Sequence, residues 1–146
     1  AAKLSRTTGL PAHECQALLE AYRNRNWSVK EFAKSQHVRK INGESWVQNP
    51  ISGFWHNLRN TKDTWSTINQ SSGVYCFDTW VKHCRKDGVK TIGQFHDEII
   101  TLVKEGKETQ EKISMEDSIE RLNDELQLNV PLGIDAQFGN SYADIH

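Results

Sequence analysis

A chain of 146 residues is long enough for one modest domain that buries roughly two thirds of its unfolded surface. Only 36% of it is hydrophobic, and five Trp and five Phe restore only part of the missing apolar area, so a partner is expected to complete the core. No apolar run approaches the roughly 18 residues of a membrane span, and no charged-then-apolar leader opens the chain. The expected setting is therefore the cytoplasm.

The net charge of −1 conceals an asymmetry. Residues 1–62 carry a balance of +6 (10 Lys and Arg against 4 Asp and Glu), and residues 63–146 a balance of −7 (8 against 15). That division fits one surface that meets a polyanion and another that holds cations, and it equally fits ordinary solvated faces. Cys15, Cys76 and Cys84 have no metal-ligand spacing, and an odd count without a close pair points to free thiols in a reducing compartment. Cys76 and Cys84 fall within a helical pattern, where buried packing is their expected role.

Ala1 to Thr7 reads as a helical stub that stops at Gly9. Pro11 suits a first helical turn, and Cys15, Leu18, Leu19 and Tyr22 recur at helical spacing, predicting a helix over 11–25. Ser28-Val29-Lys30-Glu31 has the form of a capping box and opens a second helix to about His37. Asn42-Gly43 is a hairpin turn signal between Val38–Ile41 and Ser45–Gln48. Phe54, Trp55, His56, Arg59, Lys62 and Trp65 then interleave aromatics with bases. Such a run can stack on and neutralise nucleic acid, or can be a core edge with its basic tips in water.

Residues 67–86 carry the strongest helical pattern, with Val74, Phe77, Val81 and Cys84 at three- and four-residue steps and a small, polar start at Asn69-Gln70-Ser71-Ser72-Gly73. Asp87-Gly88 ends it. Thr91 to Val103 reads as two short strands around His96-Asp97-Glu98, a hairpin over about 91–104 with Asp97 and Glu98 exposed side by side at its tip. Two carboxylates on a rigid turn suit a hard cation such as magnesium. Ser114 with Asp117 suggests a cap for an amphipathic helix through Met115, Ile119, Leu122 and Leu126, and Val130 to Ala136 reads as a last strand.

In this order the pieces resemble the C-terminal part of the family A (DNA polymerase I-like) DNA polymerases. Gln94-Phe95-His96-Asp97-Glu98-Ile99 resembles the family's third catalytic motif. Asn69-Gln70-Ser71-Ser72-Gly73 resembles the start of the preceding helix, whose glutamine touches the DNA minor groove near the primer end. Leu128-Asn129-Val130-Pro131-Leu132, Gly139-Asn140-Ser141-Tyr142 and the terminal His146 are similar to the family's C-terminus. Ala2-Lys3-Leu4 through Pro11, with Glu14 to Tyr22, resembles the fingers segment after the nucleotide-binding helix. In two places the chain departs from the family. Ser66 stands where Asn is usual, and Lys62 where Arg is usual.

The resemblance implies an α+β fold, with fingers-type helices over 1–40 and a palm subdomain over 41–146. In that palm the catalytic hairpin and a C-terminal strand pack on helices. It implies nucleotidyl transfer from a deoxynucleoside triphosphate to a primer, with two magnesium ions held between carboxylates. Asp97 would be a metal ligand, Glu98 would assist, and His96 would sit by the primer terminus. Gln70 would donate to minor-groove acceptors nearly common to all base pairs, and Arg59, Lys62 and Ser66 would meet the DNA. Nothing in the chain resembles the first motif with its metal-binding aspartate, or the nucleotide-binding helix. The chain thus looks like one piece of a divided, phage-type polymerase, inactive without the upstream polypeptide. The competing expectation is a catalytically inactive module that binds DNA or protein. A metal-dependent nuclease would need a larger carboxylate or histidine cluster.

Overall fold

In the computed structural model, which describes residues 1–145, the chain is α+β. The chain divides into two compact units between Asn69 and Gln70, so the sheet that begins at Val38 groups with the N-terminal helices in the first unit.

The first unit opens with α1 (Ala2–Thr8), closed by Gly9 at φ 74°, where the missing Cβ makes the left-handed turn free of strain. Helix α2 (Ala12–Arg25) starts directly after Pro11 and buries Cys15. Helix α3 (Trp27–Ser35) follows after a single residue. The expected capping box at Ser28 is not formed. Asn26 holds the N-cap position, its side chain turned back to the Tyr22 carbonyl at the end of α2, and no side-chain cap bond is made. Strands β1 (Val38–Ile41) and β2 (Glu44–Gln48) join through Asn42 and Gly43, both at positive φ, as a two-residue hairpin turn requires.

Strand β3 (Trp55–Leu58) then pairs antiparallel with β2 and completes a sheet of order β1-β2-β3. The interleaved aromatic and basic run is thus in part a strand. Val47 and Leu58 point from the sheet into a small core with Ile68. The turn between β2 and β3 is organised by Asn49, which is fully buried. Its Oδ1 accepts from the Ile51 and Ser52 amides at 2.8 and 3.0 Å.

Helix α4 (Thr64–Lys86) begins after a 3-10 turn at Thr61–Asp63, where the Asn60 side chain accepts from the Lys62 amide. In the second unit its apolar stripe, Cys76, Trp80, Val81 and Cys84, meets Met115, Ile119 and Leu122 of α5 (Glu108–Leu126). The Trp80 indole donates to the Met115 carbonyl at 3.2 Å, which satisfies the ring's one polar group inside the core. Helix α5 is capped at Lys107, seven residues before Ser114, whose hydroxyl donates back to the Gln110 carbonyl within the helix. At its other end Gln127 takes the left-handed conformation, φ 50°.

Strands β4 (Thr91–Phe95) and β5 (Glu98–Thr101) form the expected hairpin, with a bulge between Thr91 and Gly93. Its turn is tighter than expected. Phe95 pairs with Glu98, so the two turn residues are His96 and Asp97, and Glu98 is the first residue of β5. A two-residue turn that matches the strand twist needs positive φ, and His96 supplies it at 49°.

The expected strand over Val130–Ala136 does not form. Pro131 has no amide to give a ladder. The Leu132 amide and carbonyl instead bind the two ends of the Asn123 carboxamide, both at 2.8 Å. Leu128, Ile134 and Ala136 still pack on the α4–α5 core. Asp144 caps the short 3-10 turn at Tyr142–Asp144, accepting from the Asn140 and Ser141 amides. His146, placed by the sequence at the end of the family-like C-terminus, lies outside the described residues.

Two predictions follow from these contacts. All three cysteines are free and buried. Burial pushes the thiol pKa of Cys76 and Cys84 up, and at Cys84 the Ser118 hydroxyl opposes this in part. A thiol whose pKa is raised by folding stabilises the fold fully below its unfolded pKa and loses that contribution as pH climbs towards its folded pKa. Urea unfolding is expected to show stability falling from about pH 8.5 upwards, with a shallower fall in Cys84→Ala. At the hairpin tip, glycine relieves the left-handed backbone but loosens the unfolded chain. His96→Gly should therefore leave stability within about 0.5 kcal/mol, whereas His96→Val should lower it by about 1–2 kcal/mol, both read as thermal midpoints.

Candidate functional site

The hairpin tip owes its position to the end of α4. The Gly88 amide donates to the Arg85 carbonyl and the Val89 amide to the Cys84 carbonyl, with Gly88 at φ 85°. This is the Schellman arrangement, and the buried pair Cys84 and Val89 adds its usual apolar contact. The chain leaves the helix at once, and the Leu102 amide then closes the base of the hairpin on the Lys90 carbonyl at 3.0 Å. At Gly93 an added Cβ would stand 3.1 Å from the Phe95 ring and 3.6 Å from Ile100, so the glycine makes room for that ring beside the strand. Phe95 lies 6.4 Å from Tyr142, centroid to centroid.

At the tip, His96 and Asp97 are exposed, and neither side chain has a hydrogen bond or ion pair among the described residues. Glu98 is half-buried as it enters β5. The expectation of two equally exposed carboxylates at the tip is corrected accordingly. Asp97 is the free carboxylate, and Glu98 is set back by one ladder position because the turn has only two residues. Among the described residues no three His, Cys, Asp or Glu side chains gather as a metal site. Asp97 offers a hard oxygen donor suited to magnesium, with Glu98 beside it, so these residues fit part of such a site and need carboxylates from elsewhere to complete it.

The other candidates lie apart along the chain. Arg59 follows β3, and Lys62 sits in the 3-10 turn. Both are exposed, and neither forms an ion pair among the described residues. Ser66 is exposed in the first turn of α4, where its hydroxyl donates to the Asp63 carbonyl at 2.9 Å. That bond occupies its one proton, so it meets a ligand as an acceptor. Gln70 opens the part of α4 that belongs to the second unit, and it is exposed.

Two features lie outside these candidates. Asp78, Val81, Lys82, Arg85, Lys86 and Gln94 line a cleft of about 450 Å³ between α4 and β4. In the first unit, Arg39 stacks over the Trp55 ring at 4.8 Å and donates to His37. Of these three, only Trp55 belongs to the aromatic and basic run over 54–65, and Arg39 and His37 lie before it. Their alternation, at positions 37 and 39, is the signal that finds them once β1 is recognised as a strand.

No protein-family model, curated protein or solved structure matches this chain.

Proposed function

We propose that this chain is the C-terminal part of a DNA-directed DNA polymerase of the DNA polymerase I-like family, acting in DNA replication. The observation that carries the reading is the two-residue turn at His96 and Asp97, which holds an unpaired carboxylate at the end of an antiparallel hairpin. The support from sequence is the order of elements before it, a long helix with a small polar start at Asn69 to Gly73 and a sharp stop at Gly88.

On this reading Asp97 holds magnesium, Glu98 shapes and screens the same site, and His96 positions the primer terminus. The bound magnesium supplies charge stabilisation to the oxygens exchanged at the α-phosphate. Gln70 donates from its carboxamide to the minor-groove acceptors of the terminal base pair, a contact that reads pair shape without reading sequence. Arg59 and Lys62 neutralise backbone phosphates, and Ser66 accepts from a donor on the DNA.

A second metal-binding aspartate and the triphosphate clamp come from another segment or chain. These 146 residues alone are therefore inactive, and the division of the enzyme is of a kind suited to a phage-type replicon.

Primer extension tests the reading directly, with this chain co-expressed with the upstream polypeptide. Magnesium-dependent synthesis is expected, and Asp97→Asn should lower its rate by at least about a hundredfold while leaving DNA binding intact, since a lost metal ligand removes several kcal/mol of transition-state stabilisation. Equal rates in the two proteins would remove Asp97 from the chemistry. An intact complex that binds DNA in a salt-dependent way and never extends a primer would replace the polymerase by a DNA-binding module.

A further inference from the structure

The three-stranded sheet of the first unit has two unlike faces. Directly opposed residues of antiparallel strands share a face, so Val38, Val47 and His56 stand together, and Val47 and Leu58 carry that face into the core with Ile68. The other face takes the alternate positions. Arg39 opposes Trp46, which opposes Asn57, and Gln48 opposes Trp55. His37 joins Arg39 on it by alternation, its carbonyl accepting from the Gln48 amide at 3.1 Å.

This face therefore carries His37, Arg39, Trp46, Gln48, Trp55 and Asn57. His37 and Arg39 are exposed and the two tryptophans are half-buried. The groups are ordered rather than scattered. The Arg39 guanidinium lies 4.8 Å from the Trp55 ring centroid. Its Nε donates to His37 Nε2 at 3.2 Å, and the His37 ring meets Trp55 edge-on at 5.1 Å. A guanidinium held over a tryptophan joins a cation to an aromatic ring, and both groups are ones on which bases stack.

We propose that this face binds single-stranded nucleic acid, with bases stacked on the Arg39–Trp55 pair and on Trp46, and phosphates drawn to Arg39. Charge favours a polyanion, because residues 1–62 have a balance of +6. The one carboxylate on this face, Glu44, is engaged by the Asn57 carboxamide at 2.9 Å at the hairpin end. The Gln48 carboxamide is likewise held, by the Gly53 carbonyl at 3.0 Å, which fixes it beside the rings. A duplex keeps its bases stacked inside and offers such rings nothing, whereas an unpaired strand offers a π-face at every base. An acidic peptide would satisfy Arg39 and leave both tryptophans unused. The inference uses no residue assigned to polymerisation and needs neither magnesium nor a second polypeptide.

Fluorescence anisotropy with the full chain and a labelled deoxythymidine oligomer of about 12 nucleotides, in EDTA, reads the binding. Trp55→Ala is expected to weaken it about tenfold and Trp55→Phe by no more than about threefold, because the ring and not the indole carries the contact. Arg39→Gln should lower the salt slope by about one phosphate. Circular dichroism reports whether Trp55→Ala keeps its fold. If it does not, Trp55→Phe and Arg39→Gln decide. Absence of binding by the folded wild type, equal binding by Trp55→Ala, tighter binding of the duplex form, or equal competition by polyglutamate would each overturn the proposal. Loss of magnesium-dependent synthesis in the co-expressed enzyme would leave it untouched.

Discussion

The second unit depends on how α4 stops. A helix of 23 residues ends with exposed carbonyls and the negative end of its dipole, and here the next residue is an aspartate, the wrong charge for that place. Asp87 is tolerated because α5 answers it. Ser118 donates to the Asp87 carboxylate at 2.9 Å and Arg121 reaches the same oxygen. The mismatch at one helix end thereby becomes a tie between two helices. One turn earlier on α4, His83 meets Glu125, one turn beyond Arg121 on α5, at 2.9 Å. Beside these polar ties the apolar core of Trp80, Cys84, Ile119 and Leu122 packs the same two helices together.

The hairpin inherits its direction from that junction. With Gly88 in the left-handed conformation and Val89 folded back on the core, only four residues separate β4 from the helix, and the strand has little freedom in where it points. Further strain is held at the other end of the hairpin, where a non-glycine residue, His96, takes positive φ. Asparagine at the first turn of the first unit does the same at Asn42, a residue type that tolerates it, with glycine next to it. Histidine followed by aspartate is a poorer choice for stability alone. Under the polymerase reading, the side chains at these two positions are kept for what they do, and the turn carries the cost.

The parts of the fold that could be read from the sequence are those where one local rule decides. The Asn42-Gly43 turn, the glycine stops at Gly9 and Gly88, and the long stripe of α4 each follow from a few adjacent residues. The parts that could not be read depend on a partner distant in sequence. Val130 to Ala136 has the composition of a strand, but no strand edge is there to receive it, and the Asn123 carboxamide takes its backbone groups instead. Strand β3 was hidden for the opposite reason. Trp55 to Leu58 has polar and aromatic residues without a clean alternation, and it is a strand because β2 offers it an edge. At the site, Asp97 was legible because it sits in a turn, and the retreat of Glu98 was not, since it follows from the register of Phe95.

The two proposed nucleic-acid contacts make opposite demands on charge. An aspartate next to a glutamate repels both a phosphate backbone and its own neighbour, so the hairpin tip approaches DNA only when cations bind there. The sheet face of the first unit, as proposed, would turn the remaining N–H groups of Arg39 to phosphate and offer rings that tolerate any base, and it would ask for no ion. The asymmetry of charge along the chain, +6 before residue 63 and −7 from it onwards, matches that division. A basic surface can gather an unpaired strand by attraction alone, at long range and with strong dependence on salt. An acidic surface can act on a strand only through a metal, at contact distance. On these two proposals, chemistry at such a tip would be confined to DNA already held by something else, and a carboxylate hairpin would gain from belonging to the same chain as a surface that held nucleic acid without it.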